Sequence, residues 1–437
     1  MIKFLKKYNS LDDLNILKAI VTLLFFVFLA KIIALFKEVV IASQFGISPQ
    51  LDAYNFIFSF VQWPVALYGS VVISTLIPLI SKIRTQKLDN EIIQFRSELL
   101  GVTIVLSLVI LVLFYFIFDW LLLVNVFNLD SFQIKYAQHY LPFLVWIIPL
   151  GFLTMLFSAW TMSSKRHINT ILEAIPALTI IGTIFILDSD ISIVYGLILG
   201  FFVQVIILLY YLLLHKEIEW PKTQLKSENW LPLIKGLSYM IIAQFFMSLI
   251  PLVDQYFAAG LGIGVVSIFS FSERILAIVL SLGVVVIGRA ILPIFSDLYN
   301  KGIALNRIVI KWTLLMFIVG VLATLIFYLF AEDIVRIIFE RGTFNKLDTI
   351  QVSKLLQVAS LQIPFYIGGM VISYAIISLR LYKIFVLLNG ILLVIKIISI
   401  YILINYGFEI SSLPISAVIV YVFSFFLCLS YFFWYCK

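Results

Sequence analysis

The sequence has 437 residues, of which 63% are hydrophobic and only 12% charged, and its net charge is +7. This composition excludes a soluble domain of this size, because so much apolar surface could not be hidden from water. Runs of about 20 apolar residues, the length that spans a bilayer, recur along the chain. We therefore expect an all-α polytopic membrane protein.

The apolar runs predict about twelve transmembrane helices. The first run is too long for the core of a signal peptide, so it is interpreted as a retained helix. The predicted spans are 16–45, 52–81, 97–124, 138–163, 168–187, 191–214, 233–260, 264–296, 308–331, 352–379, 383–405 and 412–435.

Lysine and arginine are distributed unevenly between the predicted loops. With a cytoplasmic N-terminus, the outer segments hold only Lys135, Arg336, Arg341, Lys346 and Lys354 of the 30 cations. The positive-inside rule then predicts that both termini of this multi-pass protein face the cytoplasm. The expected location is the inner (cytoplasmic) membrane of a bacterium. A cytoplasmic rim facing anionic membrane lipids explains the net charge without a nucleic-acid partner.

The ends of the second and eighth spans share a Pro-x-x-Ser pattern, which begins at Pro78 and at Pro293. This similarity predicts two parallel six-helix halves, although a short apolar pattern can also recur by chance. Transporters built this way bind substrate between the halves and rock them. The predicted division is residues 1–214 for the N-terminal half, 215–232 for a cytoplasmic connector and 233–437 for the C-terminal half.

Several ionisable residues lie inside predicted spans, where each costs about 2.5–3.5 kcal/mol on insertion scales and indicates function. The cations among them are predicted to bind substrate: Lys31, Lys37 and Arg274. The acids are predicted to serve in coupling or in ion pairs: Glu38, Asp254 and Glu273. Lys396 and Arg289 are left without an assigned role.

A cavity lined by cations suits an anionic ligand, and arginine can bind phosphate with two hydrogen bonds. Apolar surroundings with a cationic centre therefore favour an amphiphile with a phosphate head, such as a polyprenyl-diphosphate-linked saccharide moved by alternating access. Two alternatives stay open: a multidrug or cation antiporter that uses the buried carboxylates, and a membrane scaffold for glycan assembly without transport. The sequence has no Walker motif, nucleophile–base pair or metal-ligand spacing, so no enzyme activity, cofactor or metal is predicted.

Three stretches carry a family resemblance. Residues 37–55 contain a basic-acidic pair, Phe-Gly and Asp-Ala; residues 338–349 contain Arg-Gly-Thr-Phe and Asp-Thr; residues 272–276 read Ser-Glu-Arg-Ile-Leu. Together they resemble the MurJ/MviN lipid II flippase family over about residues 20–400. The resemblance implies the multidrug/oligosaccharidyl-lipid/polysaccharide (MOP) exporter fold, similar to MATE transporters, and a cationic cavity that binds a diphosphate.

By position, Lys31 and Lys37 stand where this family has essential cavity arginines in the first helix, and Arg274 matches the arginine of the eighth helix. The family's second-helix arginine has no counterpart, since residues 62–68 are uncharged. The family also carries two further C-terminal helices beyond the twelve spans predicted here. A flippase for an O-antigen or another surface-polysaccharide unit (Wzx-type) is therefore kept beside lipid II.

The remaining motif residues are expected to act in gating or structure rather than in ligand binding. Gly342 suits a turn that needs permissive dihedral angles, and Asp348 is expected to cap the tenth predicted span. Apart from these motifs, the protein is expected to be monomeric and to use the membrane potential or a monovalent ion as its energy source. The gating or structural set is Gly46, Asp52, Pro78, Pro293, Arg341, Gly342 and Asp348.

Overall fold

The computed structural model describes residues 29–85, 89–164, 168–300, 306–379 and 382–435, and it contains no strand within them. The helices are α1 (29–45), α2 (Pro49–Thr85), α3 (Asp89–Leu123), α4 (Ser131–Leu144), α5 (Ile147–Ser163), α6 (Ile168–Leu172), α7 (Ile175–Leu187), α8 (Ser192–Leu214), α9 (Trp230–Gly260), α10 (Val265–Asn300), α11 (Asn306–Leu329), α12 (Ala331–Phe339), α13 (Lys346–Ser360), α14 (Ile363–Ser378), α15 (Tyr382–Asn405) and α16 (Ser412–Tyr435).

Over its described residues, each predicted span coincides with one of these helices or with a consecutive pair. Residues 16–28 of the first predicted span lie outside the described residues. Among the described residues, six helices are long and apolar enough to cross a membrane, and eight spans result if each bent pair counts as one. The six are α2, α3, α8, α11, α15 and α16, and the bent pairs are α4 with α5 and α13 with α14. The all-α polytopic fold is thus confirmed, with α1, α6 with α7, α9 and α10 at the other predicted spans.

Two spans are broken by proline. The α4–α5 pair bends by 45° and the α13–α14 pair by 40°. Pro149 and Pro364 lie in the first turn of the second helix of each pair. If the preceding helix continued through either proline, it would lack one N–H donor and the ring would clash with the carbonyl four residues earlier. The freed carbonyl of Ser360 accepts a hydrogen bond from Thr324 Oγ1 at 2.9 Å, which satisfies it inside the membrane.

Helix α2 lies at the centre of the molecule. It packs against α4 and α5 of the predicted N-terminal half and against α9 and α10 of the predicted C-terminal half. A link between the predicted halves is the hydrogen bond from Trp63 Nε1 to Ser248 Oγ, 2.9 Å long. Residues 51–57 of α2 are buried, with Phe56 and Ile57 fully so, and the side chains nearest to this interface are therefore held in place by close packing.

Candidate functional site

Charged side chains from α1 and α10 meet an amide side chain of α2. We term this group the central charge cluster: Lys37, Glu38, Asn55 and Arg274. Lys37 Nζ lies 2.6 Å from Glu38 Oε1, and the Arg274 guanidinium pairs with Glu38 Oε2. Arg274 Nη2 also donates to Asn55 Oδ1 at 2.6 Å. The structure therefore brings the predicted cations Lys37 and Arg274 together around one predicted acid.

The central charge cluster keeps a positive balance, because it sets two cations against the single carboxylate of Glu38. The side chains of Lys37 and Arg274 keep 21% and 23% of their surface exposed, and of the two it is Arg274 that lines the cavities described next. Phe271, one turn before Arg274, places its ring 5.6 Å from the guanidinium carbon, within the range of a cation–π contact. This contact and Asn55 orient the arginine.

A cavity of about 170 Å³ lies between α1 and α10 and is termed the cationic cavity. Lys31, Glu38 and Arg274 are the charged residues in its wall, and Ala34, Leu35 and Ile278 are among its apolar ones. The side chain of Lys31 is exposed at this wall, so its ammonium is accessible from the cationic cavity.

A second cavity of about 300 Å³, termed the polar cavity, lies among α2, α9, α10, α15 and α16. Arg274 is in the walls of both cavities. In the polar cavity Asp254 forms a 2.7 Å ion pair with Lys396, whose side chain is only 1% exposed. Glu273 lines the same cavity and has no hydrogen bond or ion pair within the described residues.

Asp52 joins the start of α2 to the start of α10. Its Oδ1 accepts from the backbone N–H and the hydroxyl of Ser267, at 2.8 and 2.6 Å. Its Oδ2 accepts from the Gly264 N–H at 2.5 Å and from Gln133 Nε2 at 2.8 Å. The first N–H groups of a helix lack partners inside that helix, so a carboxylate there satisfies them and offsets the positive end of the helix dipole.

The Arg-Gly-Thr-Phe loop packs on the C-terminal end of α1. The Thr343 N–H donates to the Ser43 carbonyl at 2.8 Å, one of the carbonyls that the helix end leaves free. Gly342 has φ +62°, and a Cβ there would lie 2.2 Å from the Ser43 oxygen. Gly46 has φ +53°, and a Cβ there would lie 3.1 Å from the Thr343 carbonyl oxygen. The two glycines therefore allow the loop and the helix end to approach closely.

The other motif residues take local positions. Asn345 is the N-cap of α13, and Asp348 is the third helical residue, whose carboxylate accepts from the Asn345 N–H at 2.9 Å. The expectation that Asp348 itself is the cap is thus corrected to the second member of a capping box. Arg341 Nη2 donates to the Ile337 carbonyl at 2.5 Å. Pro78 and Pro293 lie inside continuous helices, α2 and α10.

The structure shows contacts at the N-terminal end of α3 that sequence reasoning did not identify. In the structure Arg96 is almost fully buried and pairs with Glu217 at 2.7 Å. Glu98 accepts from Trp230 Nε1 at 2.8 Å and from two backbone N–H groups of the connector, those of Lys226 and Ser227. The connector is therefore held along α3, an arrangement that the net charge of a loop does not reveal.

The whole architecture is similar to solved transporter structures. A structure titled "Lipid II flippase MurJ, inward closed conformation" superposes with TM-score 0.79 at 20% identity, covering 94% of this chain and 87% of that one. An inward-facing MATE-family multidrug resistance transporter of the MOP superfamily gives TM-score 0.78 at 14% identity, covering 93% and 94%. These likenesses define the fold class: a multi-pass membrane protein with the MOP transporter fold.

Sequence comparison narrows the class to a family. The probable lipid II flippase MurJ of Buchnera aphidicola subsp. Schizaphis graminum is 20% identical over 81% of this chain and 71% of its own length. Its counterpart in Buchnera aphidicola subsp. Baizongia pistaciae is 22% identical over 80% and 71%. The family model described as lipid II flippase MurJ matches residues 14–436, so the chain belongs to the lipid II flippase MurJ family. The predicted resemblance is confirmed.

Proposed function

We propose that this protein moves a polyprenyl-diphosphate-linked saccharide from the cytoplasmic to the outer leaflet of the bacterial inner membrane by alternating access. The observation that carries the proposal is the positive balance of the central charge cluster beside the cationic cavity. The diphosphate is the part of such a lipid that needs cations, and the apolar walls suit the rest of an amphiphile. The relatives named as lipid II flippases support the same substrate class.

In the proposed cycle Glu38 is an internal counter-ion. It pairs with both Arg274 and Lys37 when no substrate is present and offsets part of their charge, which lowers the cost of keeping these charges away from water. A diphosphate brings at least two negative charges and competes with Glu38 for the guanidinium, whose planar fork matches phosphate oxygens. Lys31, exposed at the wall of the cationic cavity, supplies a further cation as the head group enters.

The contacts of Asp52 with α10 and of Thr343 with α1 join the two proposed halves at their outer ends. We propose that they close the outer side while the cavities face the cytoplasm, and that they break when the halves rock. The cytoplasmic termini, the membrane potential or a monovalent ion as energy source, and a monomeric state belong to the same proposal. A surface-polysaccharide unit in place of lipid II is compatible with all of these contacts.

The cation antiporter is the competing function. It would need a carboxylate that is free to bind and release a cation, for which Glu38, Asp254 and Glu273 are the candidates. Glu38 is paired with Lys37 and Arg274. The ion pair between Asp254 and Lys396 counts against the antiporter, since the charge of Asp254 is already neutralised inside the chain. Glu273 alone remains for that role, whereas the flippase uses all three predicted cations. The scaffold without transport gives no reason for cations at a cavity wall.

Complementation of a strain depleted of its own lipid II flippase tests the proposal. Arg274→Glu or Lys37→Glu should abolish growth at normal membrane levels, whereas Lys37→Arg should complement because it keeps the charge. Arg336→Glu, on the exposed face of α12, is the matched charge-reversal control and should complement. If Arg274→Glu and Lys37→Glu both complement, these cations are not the diphosphate site. If the wild-type chain fails to complement at normal membrane levels but carries a cation into liposomes in a way that Glu273→Gln abolishes, the antiporter replaces the flippase.

A further inference from the structure

The polar cavity contains three amide side chains with an unused hydrogen-bonding atom. Gln255 Oε1, Gln362 Nε2 and Asn55 Nδ2 have no protein hydrogen-bond partner within the described part of the chain. The three residues are only 8%, 2% and 3% exposed, and all of them line the cavity. A buried polar atom without a partner costs about 1–3 kcal/mol, so such atoms call for a ligand or water that completes them.

The chemistry of the wall defines the ligand that would fit. The amides offer both donors and an acceptor, and the Glu273 carboxylate, which also lines the cavity, offers acceptors only. Asp254 and Lys396 neutralise each other, so the ion pair adds no strong preference for a charged ligand. A ligand whose groups both donate and accept hydrogen bonds, as sugar hydroxyls do, matches this wall better than a bare cation, which only carboxylate and amide oxygens could bind.

The position of the polar cavity relates it to the proposed diphosphate site. Arg274 lies in the walls of both cavities. Asn55 connects them chemically, because its Oδ1 accepts from Arg274 while its unused Nδ2 belongs to the polar cavity. A group attached directly to a diphosphate on Arg274 would therefore reach the amides. The volume of about 300 Å³ is at the lower end of the range for small-ligand sites, roughly 300–1,000 Å³, which suits one sugar unit.

We propose that the polar cavity is a saccharide subsite that binds the sugar attached to the diphosphate, with Asn55, Gln255 and Gln362 as its hydrogen-bonding residues. This inference rests on the proposed function and adds the recognition of the first sugar to it. The first sugar then lies beyond Arg274, on the side of α9, α15 and α16. The diphosphate and the lipid attached to it lie on the side of the cationic cavity. Selectivity for the first sugar follows, because a substrate without matching hydroxyls would leave the buried amides unpaired.

The test compares two ligands and two variants. The purified full chain in nanodiscs is titrated with polyprenyl diphosphate and with polyprenyl diphosphate carrying one hexose. Gln255→Met and Gln362→Met keep the side-chain volume and remove the amide. Each should weaken binding of the hexose-bearing lipid about tenfold and change binding of the sugar-free lipid less than twofold. Gln351→Met, at an exposed position of α13, is the control and should change neither.

The outcomes separate this inference from the proposed function. If both variants weaken the two lipids equally, or neither lipid, the saccharide subsite is wrong while diphosphate binding stands. If the wild-type chain binds neither lipid, the proposed function fails and the subsite fails with it. Should a methionine variant not fold, Gln255→Asn is measured in its place; it keeps an amide on a shorter side chain, and the expected result is a smaller loss that is again confined to the hexose-bearing lipid.

Discussion

Asp52 offers a direct test of the proposed closure of the outer side. Each carboxylate oxygen of Asp52 accepts two hydrogen bonds, and three of these four bonds come from Gly264 and Ser267 at the start of α10. In Asp52→Asn one oxygen becomes an NH₂ group, which cannot accept. Whichever way the amide is turned, a bond to a backbone N–H of α10 is lost and that buried N–H is left unpaired.

The lost bond and the unpaired N–H together cost about 1–3 kcal/mol. The penalty applies to the outer-closed state, in which α2 and α10 touch, so it should shift the population toward the outer-open state roughly 5- to 150-fold. The protein should still insert, since the hydrophobic spans are unchanged.

Labelling of a cysteine from outside the cell measures the shift. Ser270, three residues beyond Ser267, is buried in the wall of the polar cavity. In a background without native cysteines, Ser270→Cys should react slowly with an impermeant maleimide and at least about five times faster when Asp52→Asn is added. Asp333→Asn, which alters an exposed ion pair on α12, is the control. Unchanged labelling with Asp52→Asn at normal membrane levels would refute the gating role.

Two further predictions concern packing and a buried ion pair. Gly342→Val combines a positive φ, a strain of about 1–3 kcal/mol, with a Cβ placed 2.2 Å from the Ser43 oxygen, so the amount of folded protein should fall well below that of Gly407→Val. Gly407 has φ +82° and no atom within 4 Å of its Cβ position; equal losses would show that the loop contact is unimportant. Asp254→Asn and Lys396→Met should each lower thermal stability strongly, since removing one partner of a buried pair costs about 3–5 kcal/mol. The double variant should recover most of that loss, and additive losses in a thermal-shift assay would contradict the pairing.

The fold could be predicted from sequence because each span carries its own evidence. Hydropathy and length locate a transmembrane helix without reference to its neighbours, and every predicted span coincides over its described residues with a helix or a pair. The bends at Pro149 and Pro364 were not predicted, because 138–163 and 352–379 were each drawn as one continuous span. What each helix packs against depends on side-to-side contacts, which the apolar periodicity of a lipid-embedded chain does not encode.

The residues of the candidate site could likewise be predicted from the sequence, whereas their contacts across the fold could not. Lys37, Glu38 and Arg274 could be selected because charge inside a span is costly, and the structure joins them. The partner of Lys396 could not be identified, since α9 and α15 are far apart in sequence and only the fold places Asp254 beside it. The four hydrogen bonds of Asp52 likewise combine three separate segments of the chain.

The central claim is that the cations around Glu38 bind and move a diphosphate lipid. The most direct measurement reconstitutes the purified protein in liposomes with a fluorescent polyprenyl-diphosphate sugar and follows its loss from the inner leaflet by external quenching. The account predicts rapid flipping by the wild-type chain, none above protein-free liposomes with Arg274→Glu, and a partial rate with Arg274→Lys, which keeps the charge but loses the fork. Flipping at the wild-type rate by correctly inserted Arg274→Glu would contradict it.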